Sequence, residues 1–132
     1  MRRRRVVTCF LQYEARILLL RRSSAVRTYS GKWAGVSGSI ESSTPLGQAK
    51  REIQEEVGLE KADVQLLRHG EPLDVSDAEQ GLHWRVPPFL FVVRDPSLIW
   101  LNWEHVESRW VDPAGLGQVD SVPMLRETWE QL

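Results

Sequence analysis

Three glutamates, Glu52, Glu55 and Glu56, stand close together in the chain. On a helix they fall at i, i+3 and i+4 and share one face. At ~100° per residue they span an arc of roughly 100°. Like charges so placed repel, at several tenths of a kcal/mol (about 0.2–0.5) per pair. A cation between them reverses that repulsion, and carboxylate oxygens are the donors that Mg²⁺ and Mn²⁺ prefer. The chemistry such a face supports is metal-assisted hydrolysis. Arg51 precedes Glu55 by four residues and can steady it by an ion pair. The competing reading is a solvated acidic helix face with no ligand.

The face needs a helix to carry it. Thr44 can cap that helix, Pro45 suits its first position, and Gly58 can end it. Leu46, Ala49, Ile53 and Val57 fall three or four apart and form an apolar stripe. Gly47 weakens the first turn. Before the helix, residues 6–11 and 17–20 are short apolar runs, with a hairpin turn expected between them. Residues 21–31 read as a loop. Residues 33–40 look extended, and Gly35 and Gly38 allow the backbone to bend or to approach a ligand closely. After the helix, residues 64–67 and 84–93 read as strands. Pro87 and Pro88 imply an edge or a bulge in the second. Trp110 and Val111 suggest a short strand. Residues 121–132 are expected to form a closing helix, with Met124, Leu125 and Trp129 facing inward. Residues 74–81 are expected to be a mobile loop. Strands mixed with two helices predict a sheet with helices packed on it, an α/β arrangement.

Residues 51–59, Arg-Glu-Ile-Gln-Glu-Glu-Val-Gly-Leu, resemble the closing block of the Nudix (MutT-like) hydrolase signature. That signature runs Gly, five residues, Glu, seven residues, then Arg-Glu-apolar-x-Glu-Glu-x-Gly-apolar. Gly38 matches its opening glycine. Two features depart from it. Residues 39–50 are one short of the usual interval, and Ser42, Ser43 and Thr44 occupy the region of the middle Glu. Glu41 stands three residues after Gly38. The segment Gly31-Lys-Trp-Ala-Gly-Val-Ser-Gly-Ser-Ile-Glu41 is similar to one prokaryotic Nudix subgroup. So are Pro88-Phe-Leu-Phe91 and Trp103-Glu-His-Val-Glu-Ser-Arg-Trp110.

The resemblance implies the Nudix fold, a mixed β-sheet sandwiched between α-helices. It implies cleavage of a diphosphate bond in a nucleoside-diphosphate-linked small molecule, with Mg²⁺ or Mn²⁺ as cofactor. Glu52, Glu55 and Glu56 would hold the metal, with the backbone carbonyl near Gly38 as a further ligand. Arg51 belongs to the same catalytic block. Glu104, six residues before Trp110, would complete the site or act as base, with Glu107 as its competitor. Arg22, Arg27 and Lys32 can bind phosphate oxygens, as can Arg21. Trp33, or Trp84, can stack on a base. The lost middle Glu leaves a second reading open: a nucleotide-binding or sensor module on the same fold, with little or no turnover.

The totals agree with a single domain over residues 1–132. The chain has 42% hydrophobic residues, enough for one core. Its 17 basic and 18 acidic residues give a net charge of -1, which argues against a nucleic-acid binder despite the four arginines at 2–5. The one cysteine, Cys9, sits in an apolar run and reads as a core residue. No stretch approaches the ~20 apolar residues of a membrane span. A cytoplasmic protein is therefore expected, and nothing in the chain excludes a homodimer.

Overall fold

The computed structural model describes residues 2–41 and 44–132. The Ser42–Ser43 stretch, where the signature loses its Glu, lies outside the described residues. Strand β1 (Arg2–Tyr13) is the spine. It turns through Glu14 and Ala15 into β2 (Arg16–Arg22), pairing Tyr13 with Arg16. The two strands then diverge, and a split strand enters between them. Its first part, β3 (Trp33–Ala34), pairs with β2, and its second, β4 (Val36–Ser39), pairs with β1. Gly35 sits at the switch, where any Cβ would lie 2.9 Å from the Cys9 carbonyl oxygen.

Helix α1 (Pro45–Val57) follows, with its expected signals in place. The Thr44 hydroxyl accepts from the Gly47 amide at 3.0 Å, and Gly58 closes the helix at φ 74. Beyond it come β5 (Val64–His69), β6 (Leu73–Asp77), β7 (Leu82–Val86) and β8 (Pro88–Val93). Both β7 and β8 run parallel to β1, one beside its start and the other beside its middle. The expected single strand over 84–93 is thus broken at Pro87, which has no amide to donate to a ladder. The first half of the mobile loop expected over 74–81 belongs to β6, paired with β7, and the second half, 78–81, is a turn.

Strand β9 (His105–Val111) is longer than the two residues expected, and it pairs antiparallel with β2. The closing helix is shorter than expected: α2 covers only Leu125–Glu130. Residues 120–122 are held against Trp33 instead. The Trp33 amide donates to the Asp120 carbonyl at 3.0 Å, and the Val122 amide donates to the Trp33 carbonyl at 3.0 Å. Met124 then takes a left-handed φ of 63 and is 38% exposed, so it does not face inward; Leu125 does.

Alternation along the strands builds two cores. On one face Val7, Cys9, Leu11, Leu18, Leu20, Phe89 and Phe91 pack against Ala49, Ile53 and Val57 of α1. On the other, Phe10, Ile17, Leu19 and Leu90 pack with Leu116 and Leu125, and Trp129 of α2 joins them. The mixed sheet is sandwiched between helices, as expected. Among the described residues, no helix is long and apolar enough to cross a membrane.

The stripe on α1 fixes which way its glutamates point, and the cap fixes where the helix starts. Replacing Thr44 by Ala removes the acceptor of the Gly47 amide. Urea unfolding of T44A should show a loss of about 1 kcal/mol, the usual effect of a lost cap. An unchanged midpoint would mean that the cap does not hold the helix start.

Candidate active site

The last two turns of α1 carry the acids, and the end of the helix leaves backbone carbonyls without helical donors. A loop supplies those donors. The Trp100 amide donates to the Val57 carbonyl, and the Asn102 amide donates to the Glu56 carbonyl, both at 3.1 Å. The Asn102 side chain then accepts from the Glu104 amide at 3.0 Å, and the Ser23 amide donates to the Glu104 carbonyl at 2.8 Å. Glu104 is thereby fixed beside the end of α1. Gly58 leaves room for the Trp100 indole, which a Cβ would strike.

Glu56 lies at the centre. It is 1% exposed, so the three glutamates that share one helical face differ in depth. Its Oε1 is 2.7 Å from Nε2 of His105, itself buried. Its Oε2 is buried and has no hydrogen-bond partner among the described residues. Glu52 is half-buried and accepts from Nε2 of Gln48 at 2.9 Å. A Cβ on Gly38 would collide with the Glu52 carboxyl, so this position must be glycine while Glu52 points there. Glu55 is exposed on the rim, yet its charge reaches both Glu52 and Glu104. Arg51 is exposed and makes no ion pair with Glu55; it acts on Glu52 through its charge. An Arg placed before Glu at this spacing is the weaker orientation of the pair.

The crowding shows in the protonation of the group. Burial raises the Glu56 carboxyl far above the carboxylate range, and hydrogen bonding to Glu52 and the charges of Glu104 and Glu52 raise it further. Glu52 and Glu104 are raised too, first by burial. Burial lowers His105, and the charge of Arg22 adds to that. Ligand atoms of Glu56, Glu104 and His105 all lie within 4.8 Å of one another. Oxygen donors this close, one of them orphaned and buried, suit a divalent cation.

A cleft of about 450 Å³ opens beside Glu104 and Gly38. Arg22 and Arg27 line it, with Arg4 and Trp84. The register of β2 against β9 shifts between Arg21 and Arg22. Such a bulge re-aims a side chain, and here Arg22 turns into the cleft. Its Nε donates to the Thr28 carbonyl at 2.9 Å, holding it there. Lys32 and Trp33 are placed outside this cleft. Lys32 pairs with Asp120 at 2.7 Å, and Trp33 packs on the α2 side of the sheet with Arg109 4.9 Å above its ring. Glu107 is engaged by Arg21 at 2.9 Å, away from the acids. His105 gave no signal of its own in the sequence except its place beside Glu104.

No curated protein matches the sequence. Solved structures do match the fold. An Ap4A hydrolase of C. elegans, solved as a binary complex, has a TM-score of 0.77 at 17% identity, with 97% of this chain and 93% of that one covered. The MutT protein of Methanosarcina mazei Go1 has a TM-score of 0.74 at 24% identity, covering 97% and 91%. The MutT NUDIX hydrolase of Burkholderia pseudomallei has a TM-score of 0.70 at 27% identity, covering 100% and 99%. The NUDIX domain family model matches residues 1–131. The chain therefore belongs to the Nudix family and is a pyrophosphohydrolase of that type.

Proposed function

We propose that the chain hydrolyses the diphosphate bond of a small nucleoside-diphosphate-linked compound with the help of Mg²⁺ or Mn²⁺. The observation that carries this reading is the Glu56 carboxyl, buried beside Glu52 and Glu104 with Oε2 unpartnered among the described residues, next to the Glu104 that lines a cleft together with Arg22 and Arg27. Glu52 and Glu56 would hold the cation, with Glu55 at the rim and the Gly38 carbonyl as a further donor. When bound, the cation supplies positive charge that offsets the diphosphate oxygens. Arg22 and Arg27 grip the phosphate oxygens and set their distance from the acids. Trp84, which lines the cleft, takes the place of Trp33 as the ring on which a base stacks. Arg4 takes the place of Lys32. Glu104 borders both cleft and acids, and it takes the proton of the attacking water.

A panel of diphosphate compounds, assayed with Mg²⁺ and with Mn²⁺ for phosphate products, tests the activity. Glu104→Gln should lower kcat about 10²- to 10⁴-fold with the fold intact. If wild type cleaves nothing faster than Glu56→Gln while some nucleotide still binds, the protein is a binding module and not a catalyst.

Stability in the absence of metal tests the charge of the site. The folded carboxyl of Glu56 keeps its proton to higher pH than the unfolded one. Its contribution is therefore complete below the unfolded pKa of ~4.3 and is lost as pH rises toward the folded value. His105 is shifted the other way, so it contributes no slope above about pH 7. Glu56→Gln keeps the shape and cannot ionise. In EDTA, its Tm should gain on wild type steadily from about pH 7 to about pH 9. Added Mn²⁺ should reverse the order by stabilising wild type alone. A constant Tm difference across that range would show that Glu56 is not held protonated.

A further inference from the structure

His105 Nε2 and Glu56 Oε1 meet at 2.7 Å, with both side chains 1% exposed. The remaining atoms of the two groups, Nδ1 of His105 and Oε2 of Glu56, are buried without partners. A bond of that length requires one proton, carried either by Nε2 or by Oε1. A carboxylate that holds a cation is an acceptor only, so with a cation bound the proton belongs to Nε2. Nδ1 is then a bare lone pair, consistent with the absence of any acceptor beside it among the described residues. The bond leaves Oε2 as the one oxygen of Glu56 available to a ligand.

The geometry points to His105 as a positioning residue: its Nε2–H holds Oε1 of Glu56 so that Oε2 faces the cation site between Glu52 and Glu104. The inference rests on the metal reading above and adds a residue to it. The backbone supports the assignment. His105 begins β9 opposite Arg22, and its amide donates to the Asn102 carbonyl at 3.2 Å. The Asn102 amide in turn donates to the Glu56 carbonyl. The imidazole and the carboxylate are thus anchored to each other through both main chain and side chain. A histidine kept only for packing would gain nothing from an unpartnered buried nitrogen, which is a net loss when water is excluded. Groups of this kind, which orient a ligand without touching the metal, typically change metal affinity by about 10- to 100-fold.

Mn²⁺ binding to the full chain, followed by the electron-spin resonance of free and bound ion, tests this separately from hydrolysis. His105→Leu keeps the volume and removes the donor; folded but with a lowered metal-free Tm, it should bind Mn²⁺ about 10- to 100-fold more weakly. His105→Gln can place an N–H near the position of Nε2, and its affinity should lie closer to wild type than to the leucine variant. The bound-ion spectrum of wild type should show no directly coordinated imidazole nitrogen. Wild-type affinity in His105→Leu, no recovery in His105→Gln, or a coordinated nitrogen would each overturn the assignment. If His105→Leu does not fold, His105→Asn replaces it: its amide is too short to reach Oε1, and affinity equal to that of His105→Gln would overturn the assignment. Failure of wild type to bind Mn²⁺ at all would overturn the metal reading first, and the role of His105 with it.

Discussion

Glu56 is a carboxyl group with almost no access to water, with a ligand oxygen of Glu104 within 4.8 Å of its own and the charge of Glu52 acting on it as well. An isolated buried carboxylate is expensive, and here, among the described residues, its one nitrogen partner is His105 and no cation is paired with it. Arg22 is the nearest positive influence, and burial weakens its own charged form. The arrangement makes sense only as half of a site. Everything near it is built to hold the acids in place in spite of their repulsion. The apolar stripe of α1 is locked against the sheet through Ala49, Ile53 and Val57, so the helix cannot roll the acids outward. Asn102 ties the loop that carries Glu104 to the carbonyl of Glu56 itself.

The sheet supplies the second part of the constraint. Because β3 and β4 enter between β1 and β2, Gly38 is brought under α1 while Arg22 lies two strands away at a bulge. Glu104 and the guanidinium groups of Arg22 and Arg27 then border one cleft. A diphosphate needs such a pairing of charges: cationic side chains for its outer oxygens, and a cation held by carboxylates at the bond to be cleaved. The same alternation that makes β1 a two-faced core strand therefore decides the spacing of the site.

The helix and its acids were legible in the sequence because local signals agree there. Thr44, Pro45, Gly58 and the stripe all specify one helix, and each is seen in that role. Glu104 could be singled out by its spacing from Trp110. Depth was not legible: three glutamates on one helical face look alike in sequence, yet Glu55 is exposed and Glu56 buried, because only the latter is covered by the 100–105 loop. Trp33 and Lys32 misled for a related reason. Their residue types suit a ligand, but long-range pairing with residues 120–122 and Asp120 engages them. That pairing also shortened α2, since a segment held extended against Trp33 cannot be helical. His105 was hidden because a buried histidine and a surface one have the same sequence.

The departures before the helix become intelligible from Glu52. In the family signature an acidic residue stands just ahead of the helix, and this chain has serine and threonine there with one residue fewer. Glu52 is nevertheless fixed at both ends of its reach. Gln48, buried one turn earlier, donates to its Oε1, and the bare Cα of Gly38 receives its carboxyl. An uncharged amide can do this without adding a fourth negative group to a cluster whose members already repel one another. The helix start is secured separately by the Thr44 hydroxyl and by the fixed φ of Pro45. Orientation of the acid and anchoring of the helix are thus divided between two residues. The shorter loop changes how the helix begins and leaves intact the contacts that aim Glu52.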